Sequence, residues 1–264
     1  RSGLKAVQLR SQGAQRWSEL LDQLRLQLNS VATPSSNLAA NLLCAAVHPR
    51  SGASLHGQLH AAGVKDAQAL ALAQELDAAG RKLRADPARF EALVALVQGL
   101  LQTPGVQVVG YCDQCSDAVQ AAQLLERMLP GRVSRHEPDM LSSDAEDDAA
   151  SAPWRRFLSA PEQIRVRVWD ARAEEGVNLH GGKKVAVHFD LPPAPNRIEQ
   201  RLGRLDRYGT GDPIASHVLV DEGLPDEAAW LHVLDAGWRV VHRAVASLQY
   251  LIESTVRARG QEWR

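Results

Sequence analysis

Asn196-Arg-Ile-Glu-Gln-Arg-Leu-Gly-Arg-Leu-Asp-Arg-Tyr-Gly209 carries four arginines and one glutamine on a short segment with both ends marked. Asn196 can accept from the free amides of a first helical turn, and Glu199 stands three residues on, as a capping box requires. Gly209 stands where such a helix stops. Arg197, Arg201 and Arg204 recur at spacings of four and three, so they form one stripe. Ile198, Leu202 and Leu205 form an adjacent apolar stripe able to dock on a core. Gln200 and Arg207 flank the basic stripe on the side away from the leucines. Planar guanidinium groups held on an anchored helix suit an oxyanion such as phosphate. Spacing alone equally allows a solvated basic face.

Working outward, the strand and helix signals around this helix set the fold class. Val106 to Cys112 is a β-prone run followed by a helical segment, Ala118 to Leu129. Arg132 to His136 is a weaker strand, and Trp154 to Leu158 a short helix. Ile164 to Asp170 alternates apolar and polar residues, which predicts a strand with one face less buried. Val185 to Asp190 is a near-continuous apolar strand, and Ser216 to Val220 another. Strands separated by helices imply an α/β fold with a mainly parallel sheet covered by helices, whose ligands gather at the carboxyl ends of strands.

The flanks read as helical. Leu4 to about Leu101 is rich in Ala, Leu and Gln, with apolar residues at helical spacing such as Trp17, Leu20, Leu21 and Leu24. Turn signals interrupt it at Thr33 to Ser36 and Pro49 to Gly52. From Pro225 onward, Trp230, Leu231, Leu234, Trp238, Val241 and Val245 make another apolar stripe. The expected division is a helical region 1–101, a sheet domain 102–222 and a helical tail 223–264. Between them, 137–152 is acidic, rich in Ser and Ala and without apolar period, and reads as a surface loop. Its carboxylates lack the glycine and terminal glutamate of a calcium loop.

The 264 residues are 45% hydrophobic with net charge −1, which predicts a globular chain whose nucleic-acid contacts, if any, are local. No apolar run approaches the roughly 20 residues needed to span a bilayer, and the start lacks a signal-peptide pattern. It also lacks methionine, so a cut-out fragment is expected. Three cysteines suit a reducing compartment, hence a cytoplasmic location. Cys112-Asp-Gln-Cys115 has the spacing of half a zinc site or of a redox pair, but a second half is missing, so two ordinary thiols at a strand end are expected and no metal site.

Gln200 to Arg207, reading QRLGRLDR, resembles motif VI of superfamily-two helicases in the version of Swi/Snf-type DNA translocases and the bacterial RapA group. Trp169 to Leu179 resembles motif V, matching at Gly176, Asn178 and Leu179. Val185 to Pro192 resembles the strand joining the two motifs, Val106 to Cys112 resembles motif IV, and Leu43 to Pro49 is similar to the His-Pro helical block before it. Leu231 to Ile252 is similar to the helical tail of RapA-like members. The resemblance departs at Ala173 and Glu174, where members commonly carry two glycines; a turn needing positive φ would be strained there. Glu175 matches the acidic residue of RapA-like members.

A phosphate-cradling loop is absent, since Gly181-Gly-Lys-Lys184 lacks both the spacing and the terminal Ser or Thr, and so is an Asp-Glu box. The resemblance therefore implies the second, C-terminal RecA-like lobe with helical extensions. Its implied substrate is ATP, with magnesium held by the missing first lobe. Implied catalytic arginine fingers are Arg204 and Arg207, and implied nucleotide contacts are Gln200, Glu175 and Gly176. Arg201 is implied to pair with a carboxylate that fixes the helix. Asn178 and Arg172 are implied nucleic-acid contacts. Implied partners are double-stranded DNA, the first lobe, and RNA polymerase or another DNA-bound complex; no membrane is expected. The full-length protein would be a DNA-dependent ATPase and the fragment alone inactive. The competing reading is a degenerate lobe that scaffolds nucleic acid or protein, favoured by Ala173 and Glu174.

Overall fold

The computed structural model describes residues 3–31, 36–135, 153–174, 178–205 and 214–240. Its sheet has six strands: β1 (Leu4–Leu9), β2 (Val106–Tyr111), β3 (Val133–Arg135), β4 (Val166–Trp169), β5 (Lys183–His188) and β6 (Ala215–Asp221). They lie in the order β1-β6-β5-β2-β4-β3. Tyr111 stands level with Trp169 on one side and His188 on the other, in parallel register. The expected parallel α/β sheet is present, and its central strand carries an unbroken buried run, as a sheet covered on both faces demands.

Two expectations change here. Leu4–Leu9, within the stretch read as helical, is a strand. Its short sequence has no strong period of its own and takes its conformation from the edge of β6. On β4 the alternation predicted a less buried face, yet Val166–Trp169 is buried throughout because β2 and β3 flank it and α6 (Cys115–Met128) and α7 (Pro153–Ser159) pack over it. Arg167 is only 2% exposed. Its guanidinium donates to Ser134 Oγ at 2.7 Å and lies over the Trp169 ring. Burial without a carboxylate lowers it to about 10.

The contacts group into two compact units. One comprises residues 1–7, 89–219 and 239–243; the other comprises 8–88, 220–238 and 244–264. In the first, Arg89 at the start of α5 (Ala88–Leu100) is buried and donates to the carbonyls of Phe189 and Leu219 at 2.8 and 3.2 Å. Helix α8 (Pro195–Leu205) packs against β5 and against a 3-10 turn, Ala171–Glu174.

The second unit is built on α1 (Ala14–Val31), α2 (Ser36–Val47), α3 (Leu55–Ala61), α4 (Ala67–Ala85) and α9 (Pro225–His232). Trp17, Leu20, Leu21, Leu24, Leu59 and Leu76 fill its core, as helical spacing predicts. Asp66 caps α4 by accepting from Ala69 N at 2.7 Å. Past β6, the buried carboxylate of Asp221 accepts from Ser11 N at 3.0 Å and Gly223 N at 2.9 Å, and Glu222 N donates to Leu9 O. Trp230, Leu231 and Leu234 are buried as expected. Val241, Val245 and the 137–152 stretch lie outside the described residues. No helix among the described residues is long and apolar enough to cross a membrane.

Candidate functional site

The site is built where β2, β4 and β5 end and α8 begins to run. Helix α8 starts at Pro195, one residue earlier than expected, because proline supplies the helical φ and has no amide to leave unpaired at the first position. Asn196 is therefore inside the first turn, and its Oδ1 is buried without a hydrogen bond, so it does not act as the expected cap. Ile198, Leu202 and Leu205 are buried, as their spacing requires.

The arginine stripe divides. Arg201 is fully buried rather than presented to solvent. Its Nη1 donates to the Asp190 carbonyl at 3.2 Å and lies 3.5 Å from His188 Nδ1, its guanidinium stands 5.4 Å from the Tyr111 ring centre, and its Nη2 lies 3.9 Å from Asp113 Oδ1. Tyr111 in turn donates its hydroxyl to the Arg201 carbonyl at 2.8 Å. A carboxylate thus faces Arg201, as the family resemblance implied. Arg197 donates to the same Asp113 oxygen. The Asp113 amide is held by both carboxylate oxygens of Asp190, at 2.9 and 3.1 Å.

His188 completes the buried layer. It stacks on Tyr111, and Tyr111 meets Trp169 edge-on. Burial, then the Arg201 charge and His217, push the His188 imidazole well below its ordinary range, so it is neutral at physiological pH. A neutral ring is what allows Nδ1 to face a guanidinium.

Arg204 and Asn178, expected to serve different ligands, are brought together. Arg204 Nη1 donates to Asn178 Oδ1 at 3.4 Å, and the next amide, Leu179 N, donates to the Arg204 carbonyl at 2.8 Å. Asn178 is exposed, Arg204 half-buried, and Gln200 exposed on the same helix. Arg172 is exposed too but engaged: it donates to Asp170 at 2.7 and 3.2 Å and to Cys115 Sγ at 2.9 Å. Burial raises the Asp170 carboxyl, but the hydrogen bonds and charge of Arg172, with the Cys115 thiol, outweigh it and hold the group below the usual carboxylate range. Arg207, Glu175, Gly176 and Gly209 lie outside the described residues.

The substitution at Ala173 and Glu174 is accommodated by the 3-10 turn, whose right-handed backbone any residue adopts. Among the described residues the only non-glycine positive φ is at Arg239. Cys112 is buried and Cys115 exposed at the end of β2. The residues that spacing did not single out are Asp113, Tyr111, His188 and Asp190. Asp113 is in view only as one of the two residues between Cys112 and Cys115.

RNA polymerase-associated protein RapA of Sodalis glossinidius (strain morsitans) is 32% identical over 123 residues, 47% of this chain and 12% of that protein. The same protein of Proteus mirabilis (strain HI4320) is 33% identical over 128 residues, 48% of this chain and 13% of that protein. About half of this chain is homologous to RapA. The chain nevertheless spans only 12% and 13% of the length of these two relatives. No protein-family model matches it. The crystal structure of the C-terminal part of the Fun30 ATPase domain covers 99% of this chain, and 97% of its own length is matched, with a TM-score of 0.52 at 11% identity. That likeness is one of fold, the RecA-like C-terminal lobe of helicases. The chain thus has the fold of a RecA-like helicase C-terminal lobe, and about half of it is related to RapA.

Proposed function

We propose that this chain is the second motor lobe of an ATP-dependent DNA translocase. Arg204 and Arg207 are its arginine fingers, reaching a γ-phosphate bound on the first lobe, where a guanidinium is worth a factor of roughly 10³ to 10⁵ in rate. Gln200, Glu175 and Gly176 contact the nucleotide, while Asn178 and Arg172 contact nucleic-acid phosphates, which carry little sequence information. Double-stranded DNA is the track, and RNA polymerase the partner suggested by the relatives' name. Among the described residues no group of three or more His, Cys, Asp or Glu side chains is placed to hold a metal ion. In this reading the magnesium ligands belong to the first lobe.

The observation that carries the reading is the joint between Arg204 and Asn178–Leu179. The segment before β5 and one helix share a main-chain bond and a side-chain bond, so a shift at a nucleic-acid contact moves a finger. The test is Arg204→Ala in the full-length protein, with turnover and ATP binding measured side by side. DNA-stimulated turnover is expected to vanish while ATP binding persists. Unchanged turnover overturns the assignment.

A second reading, a scaffold without turnover, is favoured by Arg172, whose guanidinium already serves Asp170 and Cys115. Full-length protein that binds DNA but never hydrolyses ATP would establish it.

A further inference from the structure

The loop Cys112–Cys115 carries a spacing that suggests metal or redox chemistry, yet its geometric importance lies in Asp113, the first of the two residues between the cysteines. Asp113 accepts from Arg197 and faces Arg201 at 3.9 Å, so one carboxylate serves two guanidinium groups one turn apart on α8. Arg201 is 0% exposed, and a buried cation without its counter-charge is strongly disfavoured. Asp113 is itself braced, because its amide sits on the Asp190 carboxylate while the Asp190 carbonyl takes Arg201. The same loop reaches the other segment of the site: Cys112 N donates to Trp169 O at 2.8 Å, and Cys115 Sγ accepts from Arg172.

We propose that Asp113 is a positioning residue that sets the axial rotation of α8 and thereby the place of Arg204. The inference rests on the arginine-finger reading above and deepens it. Arg197, Arg201 and Arg204 share one rigid helix at spacings of four and three, so pinning the first two determines where the third points. A catalytic group displaced by about 1 Å can lose on the order of a hundredfold in rate.

The experiment compares Asp113→Asn, Arg197→Gln and Arg204→Ala in the full-length protein. Three quantities are read: kcat and KM for ATP, and amide hydrogen exchange across Arg197–Leu205, which reports local opening. Asp113→Asn is expected to speed exchange in α8 about tenfold and lower kcat about tenfold, with KM within about twofold, as for loss of an interaction made in the transition state. Arg197→Gln, a partly exposed site that should tolerate change, is expected to move both in the same direction. Arg204→Ala is expected to abolish turnover with α8 exchange unchanged. Unaltered exchange in both Asp113→Asn and Arg197→Gln overturns the positioning role, as does faster exchange with undiminished kcat. If Asp113→Asn fails to fold, Arg197→Gln decides. Turnover surviving in Arg204→Ala refutes the finger reading instead, and the exchange comparison still decides whether Asp113 fixes the helix.

Discussion

Leu179 N donates to the carbonyl of Arg204 at 2.8 Å, while Asn178 Oδ1 accepts from the Arg204 side chain at 3.4 Å. The main-chain bond holds the two segments together whatever residue occupies position 178. The side-chain bond orients the guanidinium. Asn178→Ala should therefore leave the fold intact and loosen only Arg204 and the proposed phosphate contact. DNA affinity of the full-length protein should fall by a few-fold, with the slope of log affinity against log salt unchanged, because a neutral amide displaces no counterion. An affinity identical to that of the parent would remove Asn178 from the nucleic-acid contacts.

Arg201 has four different neighbours inside the lobe and no exposure to solvent. Arg201→Met fills similar volume but deletes the hydrogen bond to Asp190 and the charge facing Asp113, an expected loss of about 2–4 kcal/mol of stability. Arg201→Lys keeps the charge but not the planar fork and should recover less than half of it. Urea unfolding of the three proteins measures both, and a lysine variant as stable as the parent would contradict the geometric account.

The buried His188 makes stability depend on pH. Its folded pKa lies well below the ordinary 6.5, so the unfolded chain binds a proton that the folded chain refuses. His217, lowered by burial and by Lys5, acts in the same direction. Stability is thus complete well above pH 6.5 and lost as pH falls below it, by up to about 1.4 kcal/mol per pH unit for the fully buried His188. His188→Phe should remove one such contribution. Unfolding free energies at several pH values between 7.5 and 5.5 give the slope, which should be shallower in the variant.

Gly223 has no space for a side chain: a Cβ there would stand 2.6 Å from Ala14 Cβ and 3.0 Å from Gln15 N. Gly223→Ala should cost about 1–3 kcal/mol through overpacking. A variant melting at the parental temperature would mean that the turn after β6 yields freely.

Much of the sheet is legible because its inner strands are apolar enough to declare themselves, as Val106–Tyr111 and Val185–His188 do. Leu4–Leu9 is not, since its state depends on pairing with a strand more than two hundred residues away. Helix α8 is legible from its period, but period alone assigns Arg201 to the polar stripe with Arg197 and Arg204. Its burial depends on Asp113, Tyr111 and Asp190, which the fold delivers from two other strand ends. Arg167 misleads the alternation of β4 for the same reason, because Ser134 and Trp169 provide from elsewhere what solvent would have provided. The joint between Asn178 and Arg204 was beyond spacing altogether.

The clasp of Ser11 on Asp221 spans 210 residues of chain. During synthesis at about 5–20 residues per second, β1 leaves the ribosome roughly 10–40 seconds before its pairing strand exists. For that interval it presents unmatched amides and carbonyls to any other extended segment nearby. Completion of this sheet is therefore timed by translation, and a nascent chain stalled before β6 would be a substrate for chaperones.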